Sequence, residues 1–409
     1  MRRFGWNENW INSRRISAYP KIFLALYLVI GAAWVGLSTN LVDLKGKPLG
    51  YDFITFWAAS DLALEGRPAD AFNPARIIEA ERKAVPANNS VFLWHYPPTF
   101  YLLVLPLALV PYMTACLIWI GGTLALYLGY MRRVLASPHE TWLLLAFPGT
   151  FVNIFHGQNG FLSTVLIAAA CLNLEKRPML AGIMIGALSY KPHLGLLFPL
   201  ALVAGRHWLA FAAAAVTTLL FCGFATLVFG TAGWLAFWDN LPLTRHILET
   251  GFLPWHKMPS VFAALRMLGL GVPTAYVVHA LVACAVASLV VLAWHRRETP
   301  LALRSALLAV GALLISPYGF DYDLVILALP IALMAMDGLR NGWMPGMRTV
   351  LVVAWLTPLL LPMLAEKTSL QLMPVVLLGF FGMIQARLWA EPVGTEARRA
   401  KPVAAVGCP

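Results

Sequence analysis

Residues 22–41, IFLALYLVIGAAWVGLSTNL, form a predominantly apolar run without Asp, Glu, Lys or Arg, and the basic residues Arg2, Arg3, Arg14, Arg15 and Lys21 precede it. A run of about 20 such residues matches the hydrocarbon thickness of a bilayer. No convincing small-x-small cleavage site follows, so it reads as an uncleaved signal anchor with a cytoplasmic N-terminus. The rest of the 409 residues repeat the pattern: 60% are hydrophobic, 12% are charged, and the mean hydropathy is +0.72. This is the composition of an integral membrane protein.

Working outward from that first run, further apolar runs fall near 98–131, 141–155, 160–175, 178–190, 193–205, 208–229, 273–295, 302–315, 321–338, 348–365 and 370–389. The expected fold is an all-α polytopic bundle of about 10–12 spans. It divides into a cytoplasmic segment 1–21, a membrane domain 22–389 that includes a long first external loop 42–97, and a cytoplasmic, disordered tail 390–409. The run 98–131 is too long for one straight helix, and Pro106 and Pro111 predict kinks. Several runs between 141 and 205 are too short to cross alone and are joined by polar turns, as expected of helices lining a cavity. The stretch 259–270, with Arg266, reads as a re-entrant or surface helix.

The net charge of +11 would suggest nucleic acid in a soluble protein, but the basic residues cluster at the ends of apolar runs. With spans alternating from a cytoplasmic N-terminus, most Lys and Arg fall on the cytoplasmic side, so the positive-inside rule accounts for the charge without nucleic acid. Five cysteines, Cys116, Cys171, Cys222, Cys284 and Cys408, lack metal-ligand spacing and read as packing residues. The nine histidines are dispersed, and neither a metal nor another cofactor is expected. Gly182-x-x-x-Gly186 is a close-packing site, more often used between helices of one chain than between chains.

On this topology the external face collects chemistry-bearing residues. Gly50-Tyr51-Asp52-Phe53-Ile54-Thr55-Phe56-Trp57-Ala58-Ala59 places a carboxylate about a dozen residues beyond the first span. The turn residues His156, Gln158 and Asn159, then Lys191, His256, Lys257, Tyr318, Asp321 and Asp323 return to the same side. Few charges remain mid-span, where a proton-coupled transporter would need them. No Gly-rich phosphate loop or cytoplasmic Asp-x-Asp suggests a nucleotide-sugar donor.

The ordered set Tyr51-Asp52-Phe53 with Ala58-Ala59 and Gly66, Tyr96-Pro97-Pro98, Gly157-Gln158-Asn159, Ala181-Gly182 through Gly186 to Lys191-Pro192, Pro259-Ser260 with Leu265-Arg266, and Ser316-Pro317-Tyr318 resembles glycosyltransferase family 87. The resemblance runs from about residue 50 to residue 330. That family belongs to the GT-C superfamily and includes a mycobacterial mannosyltransferase of phosphatidylinositol mannoside synthesis. The resemblance implies a cavity open to the outer half of the bilayer and a polyprenyl-phosphate sugar donor carrying mannose or a similar sugar. It also implies a lipid-linked or glycan acceptor and inverting, metal-independent transfer in the cell inner (plasma) membrane. Asp52 matches the family's catalytic aspartate. The stretch 316–323 departs from the family pattern: Phe320, Tyr322 and Asp323 stand where many relatives carry a tryptophan and one or two histidines.

The chemistry demands such groups independently. A sugar hydroxyl is too weak an acid to attack until a base takes its proton, and the departing phosphate needs a cation aimed at its growing charge. Asp52 is the candidate base. Lys191 is the first candidate for the donor phosphate, followed by Arg266, Lys257 and His256, with Tyr51, His156, Gln158, Asn159, Tyr318 and Asp321 lining the substrate cavity.

Plainer roles stand beside these. Asp52 could cap a helix, Lys191 could snorkel at a helix break, and His156 and Gln158 could satisfy backbone in a tight turn. Tyr96-Pro97-Pro98 would form a rigid entry to the next span, and one of Asp321 and Asp323 could cap the span beginning there. The aromatics Phe53, Phe56, Trp57, Phe72, Phe92 and Trp94 read as interfacial. Two other function classes remain open. One is a lipid or polysaccharide transporter or flippase; the other is an outer-leaflet glycan ligase or polymerase, which tends to place its basic cluster in a late loop.

Overall fold

All twelve apolar runs are helical, and no strand occurs among the described residues. The computed structural model describes residues 12–135 and 137–390. Arg2, Arg3, Cys408 and the tail from 391 lie outside them. The first helix, α1 (Ser13–Gly36), starts where the Asn12 side chain accepts a hydrogen bond from Arg15 N at 3.0 Å, an N-cap that satisfies one free backbone donor. It is one of six helices among the described residues that are long and apolar enough to cross a membrane. Its surface is turned almost wholly outward, and aromatic pairs tie it down: Tyr27 stacks on Phe151 at 4.3 Å and Phe23 meets Trp355 edge-on at 5.2 Å.

The segment after α1 is folded rather than an open loop. Asp43 accepts from Lys45 N at 2.8 Å, Lys47 N at 3.0 Å and the Tyr51 hydroxyl at 2.7 Å, which curls residues 43–51 into a tight turn. There follow α2 (Phe53–Leu64), a 3-10 turn at Pro68–Phe72 and α3 (Pro74–Ala84). Ten of the twelve residues of α2 are buried. Phe53, Phe56 and Trp94 are in the core, where Phe56 packs edge-on against Trp94, Tyr96, Phe100 and Trp119. Trp57 and Phe72 are buried as well. The interfacial expectation is therefore corrected for Phe53, Phe56, Trp57, Phe72 and Trp94, which pack inward, while Phe92 is only partly buried.

Beyond a 3-10 turn at Pro98–Phe100 come α4 (Tyr101–Val104), a second turn at Leu105–Leu109, and α5 (Tyr112–Met131). Pro111 thus breaks the long run outright, because Val110 before it is extended (φ −131°, ψ 159°), whereas at Pro106 the chain stays helical and tightens from α4 into the 3-10 turn. Next are α6 (Trp142–Ala146), α7 (Pro148–His156), α8 (Gly160–Asn173), α9 (Pro178–Ala187), α10 (Pro192–Gly195), α11 (Leu197–Ala204) and α12 (Trp208–Phe229). Gly182 and Gly186 press α9 onto α12. A Cβ on Gly186 would lie 2.5 Å from Thr217 Cβ, and one on Gly182 would collide with Ala210 O, so the small-residue pair joins helices within the chain.

Residues 230–259, between the apolar run 208–229 and the stretch 259–270, contain α13 (Ala232–Thr250), which ends at Gly251 in the left-handed region (φ 79°). The segment reads as a loop because Asp239, Arg245, His246 and Glu249 interrupt its apolar residues. Packing of Phe237 on Phe72 gives its apolar face a partner. A 3-10 turn at Trp255–Lys257 leads to α14 (Val261–Met267), α15 (Val272–His295) and α16 (Leu301–Leu314). A 3-10 segment at Asp321–Leu327 then continues into α17 (Ala328–Asn341), followed by α18 (Met347–Thr368) and α19 (Met373–Trp389). At seven residues, α14 is too short to cross a membrane by itself.

Candidate active site

Two glycines bring three distant segments together. Gly157 ends α7 with φ 58°, and a Cβ there would sit 2.6 Å from Phe53 Cβ and 2.7 Å from Gly50 O. Gly160 starts α8, and a Cβ there would sit 2.7 Å from Tyr322 O and 2.7 Å from Val325 Cγ1. The turns at 50–52 and 156–160 and the segment 321–327 therefore meet backbone to backbone, at a distance only glycine allows. Between them Tyr51 is held at φ 43°, an uncommon conformation for a bulky residue. Its ring is packed against Trp34, Phe155 and His156, and its hydroxyl is tied to Asp43.

This arrangement fixes Asp52. It occupies the N-cap position of α2, yet its side chain makes no capping hydrogen bond. Instead Oδ2 accepts from Gln158 Nε2 at 3.0 Å, and His156 Nδ1 stands 3.7 Å from the same oxygen. The Gln158 amide is oriented in turn, because its Oε1 accepts from the Tyr96 hydroxyl at 3.2 Å and from Asn159 N at 3.3 Å. The other oxygen, Oδ1, takes no hydrogen bond from the described residues, and the side chain is 24% exposed. Burial raises the Asp52 pKa above the usual carboxylate value; the Gln158 bond and the charges of Lys257, Lys47 and Lys191 pull it partly back.

A second polar group lies beside the first. Lys191 is buried, its ammonium 2.5 Å from Asp323 Oδ1 and 3.0 Å from Asn159 Oδ1, and over the Tyr322 ring at 5.2 Å. Asp323 Oδ2 accepts from Phe320 N at 3.4 Å, so this carboxylate both caps the segment and neutralises the lysine. Asp321 accepts from Tyr322 N at 2.9 Å. Tyr318 is part-exposed, with its ring between those of His95 at 6.3 Å and His193 at 6.2 Å.

The remaining cations are placed differently. The Lys257 ammonium is 3.5 Å from His156 Nε2. Gln371 holds the Lys257 turn through the carbonyls of Trp255 at 3.1 Å and His256 at 2.8 Å. The His256 imidazole makes no hydrogen bond to Asp52, His156 or Lys191. Arg266 is committed to the Leu270 and Glu249 carbonyls at 2.5 and 3.1 Å and lies over Trp255, which ties α13 to α14. Lys47 is a residue that the sequence did not single out. It sits 5.2 Å over the Tyr51 ring, and its charge acts on Asp52 alongside that of Lys257. Its place in the turn Asp43-Leu-Lys-Gly-Lys-Pro reads as solvent-facing, and only the contact with Tyr51 turns it toward the site. Tyr96, read as part of a rigid entry, also orients Gln158. Among the described residues no three His, Cys, Asp or Glu side chains are grouped to hold a metal ion.

Residues 94–317 match the family model of glycosyltransferase family 87. The chain belongs to that family. The match spans more than half of the 409 residues and includes the Gly157-Gln158-Asn159 turn, Lys191 and Lys257. It begins after Asp52 and ends before Asp321, so neither residue is covered by the match. No curated protein and no solved structure matches the chain. As a family 87 member with six helices among its described residues long and apolar enough to span, the protein is a multi-pass membrane glycosyltransferase.

Proposed function

We propose that this glycosyltransferase moves a hexose or pentose such as mannose from a polyprenyl-phosphate donor to a hydroxyl of a lipid or glycan acceptor. Transfer takes place at the outer face of the plasma membrane, with inversion at the anomeric carbon and Asp52 as general base. The observation that carries this reading is the two-sided environment of Asp52: one oxygen anchored by an oriented amide, the other free of described donors, with the charges of Lys257 and Lys47 acting on it. In one step, Asp52 Oδ1 takes the acceptor proton and the acceptor oxygen bonds to the anomeric carbon. The bond from that carbon to the phosphate oxygen breaks, and its electron pair leaves with the polyprenyl phosphate. General base catalysis of this kind contributes about 10²–10⁴-fold.

Lys257 and Lys47 are the cations best placed to meet the leaving phosphate, because neither is paired within 4 Å with a carboxylate of the described residues. Lys191 could serve only by leaving Asp323, and breaking a buried ion pair costs roughly 3–5 kcal/mol. Its role in this reading is to hold Asn159 and Asp323 in place beneath the donor. Orientation follows the basic residues at the ends of the runs, with both termini cytoplasmic and the Asp52 face exterior. Short-chain polyprenyl-phosphate sugars offered with a membrane-lipid extract, in buffer containing a chelator, test the reading. Wild-type transfer that collapses in folded Asp52→Asn supports it; transfer unaffected by the substitution removes Asp52 as the base, and no transfer from any such donor removes the donor class.

A further inference from the structure

The His156 imidazole is buried and faces a different charged group through each ring nitrogen. Nε2 is 3.5 Å from the Lys257 ammonium, and Nδ1 is 3.7 Å from Asp52 Oδ2 with no hydrogen-bond partner among the described residues. An ammonium has donors only, so Nε2 must be the accepting nitrogen and Nδ1 must carry the proton of a neutral ring. That proton points at the Asp52 oxygen already held by Gln158, and away from Oδ1.

We propose that His156 is a positioning residue for the Asp52 base: Lys257 holds its ring in the Nδ1–H tautomer, and Nδ1–H donates to Oδ2 while the acceptor hydroxyl docks on Oδ1. The contact must close by roughly 0.7 Å to reach ordinary N–H···O length, and catalytic hydrogen bonds often tighten in this way once substrate is bound. With Gln158 and His156 both donating to one oxygen, the carboxylate cannot rotate, and its free lone pairs stay turned toward the acceptor. The inference rests on the reading of Asp52 as the base.

The surroundings keep the ring neutral. Lys257 comes from the 255–257 turn, and Lys47 and Tyr51 come from the turn before α2; the Tyr322 ring lies 5.8 Å away on the segment that also carries Asp321. Burial, then Lys257 and Lys47, push the His156 pKa well below its ordinary value, so the imidazole neither takes a second proton nor competes with Asp52 as a base. This is the orienting role that a histidine pinned at one nitrogen performs for a group at the other.

Two measurements on the purified full chain test the proposal. The first is heteronuclear NMR of protein labelled at its histidine nitrogens, with the His156 signals assigned by their loss in His156→Asn. A neutral Nδ1–H ring that becomes Nε2–H or mixed in Lys257→Met is expected; an Nε2–H ring or an imidazolium in the wild type would overturn the proposal even if no donor were found. The second is transfer by three variants. His156→Phe should lose about 10–100-fold in kcat with acceptor KM within about threefold, and its acid limb should move to higher pH because a donor to the charged carboxylate is gone. His156→Asn, whose amide reaches the Nδ1 position, should stay within about fivefold of wild type, and His156→Gln, whose amide reaches the Nε2 position, should resemble His156→Phe. If His156→Phe does not fold, the Asn and Gln variants decide between the two nitrogens. Wild-type kcat and pH profile in His156→Phe, or equal activity of Asn and Gln, would overturn the positioning role. If Asp52→Asn is inactive at the same time, the base assignment stands without it; if Asp52→Asn is fully active, both fall.

Discussion

Asp52 and Asp323 lie at the same end of the bundle and share neighbours, yet their environments assign them opposite work. Asp323 is almost fully buried, faces the Lys191 ammonium and caps a backbone donor, so both its oxygens are committed. Asp52 is held on one side by the neutral Gln158 amide, keeps the other oxygen open, and meets lysine charge only at a distance. A carboxylate paired at contact with a buried cation serves the fold. One that is partly buried without a contact cation keeps the basicity needed to accept a proton.

The sharpest way to break the comparison is to exchange the demands on the two residues. Asp52→Asn should lower transfer by about 10²–10⁴-fold while leaving the melting temperature close to wild type, because the side chain caps nothing. Asp323→Asn should do the reverse in kind. It leaves Lys191 charged and uncompensated, which destabilises the protein by roughly 3–5 kcal/mol in thermal or denaturant unfolding, and the double change Lys191→Met with Asp323→Leu should recover part of that loss. Equal melting temperatures for Asp323→Asn and wild type would remove the structural role assigned to the pair.

Gly157→Ala probes the junction that both carboxylates depend on. The added Cβ meets Phe53 Cβ and Gly50 O in a left-handed turn, so the two turns must separate, and displacement of Asp52 by about 1 Å should cost on the order of 100-fold in transfer. The pH dependence sharpens the contrast further. Burial raises the Asp52 pKa, and in the proposed role of base it acts only when ionised, so transfer should fall as pH drops through that raised pKa. Gln158→Leu, which removes a donor to the charged form, should move the acid limb upward by about one unit. The smallest effect is expected at Lys83, an exposed partner of Asp61 and Glu65 at 2.7 and 3.0 Å, where Lys83→Met should change stability by less than about 1 kcal/mol.

Much of the site is legible in the amino-acid sequence because polar residues in an apolar chain are few. Gly157-Gln158-Asn159, Lys191 and the 316–323 stretch stand out against their surroundings, and the fold brings all of them to Asp52 or to its neighbours. Arg266 stands out equally, yet it serves two carbonyls between α13 and α14, since sequence marks a charge but not its partner. Lys47 is hidden for the opposite reason: lysines in a Gly-containing turn are ordinarily solvated, and only the packing of Tyr51 directs this one inward.

By itself the sequence determined the solvent and the order of the elements. Hydrophobic runs of bilayer length must leave water, basic flanks must resist crossing, and prolines such as Pro111 must end the helices that meet them. Tertiary structure alone decided that α2 is core rather than loop, that α13 is a helix, and that Asp323 rather than solvent answers Lys191. The physical reason is that each of these depends on a partner far along the chain or on a surface supplied by another element. The pattern of a segment records its own preference; contact with distant glycines, rings and charges determines what it does.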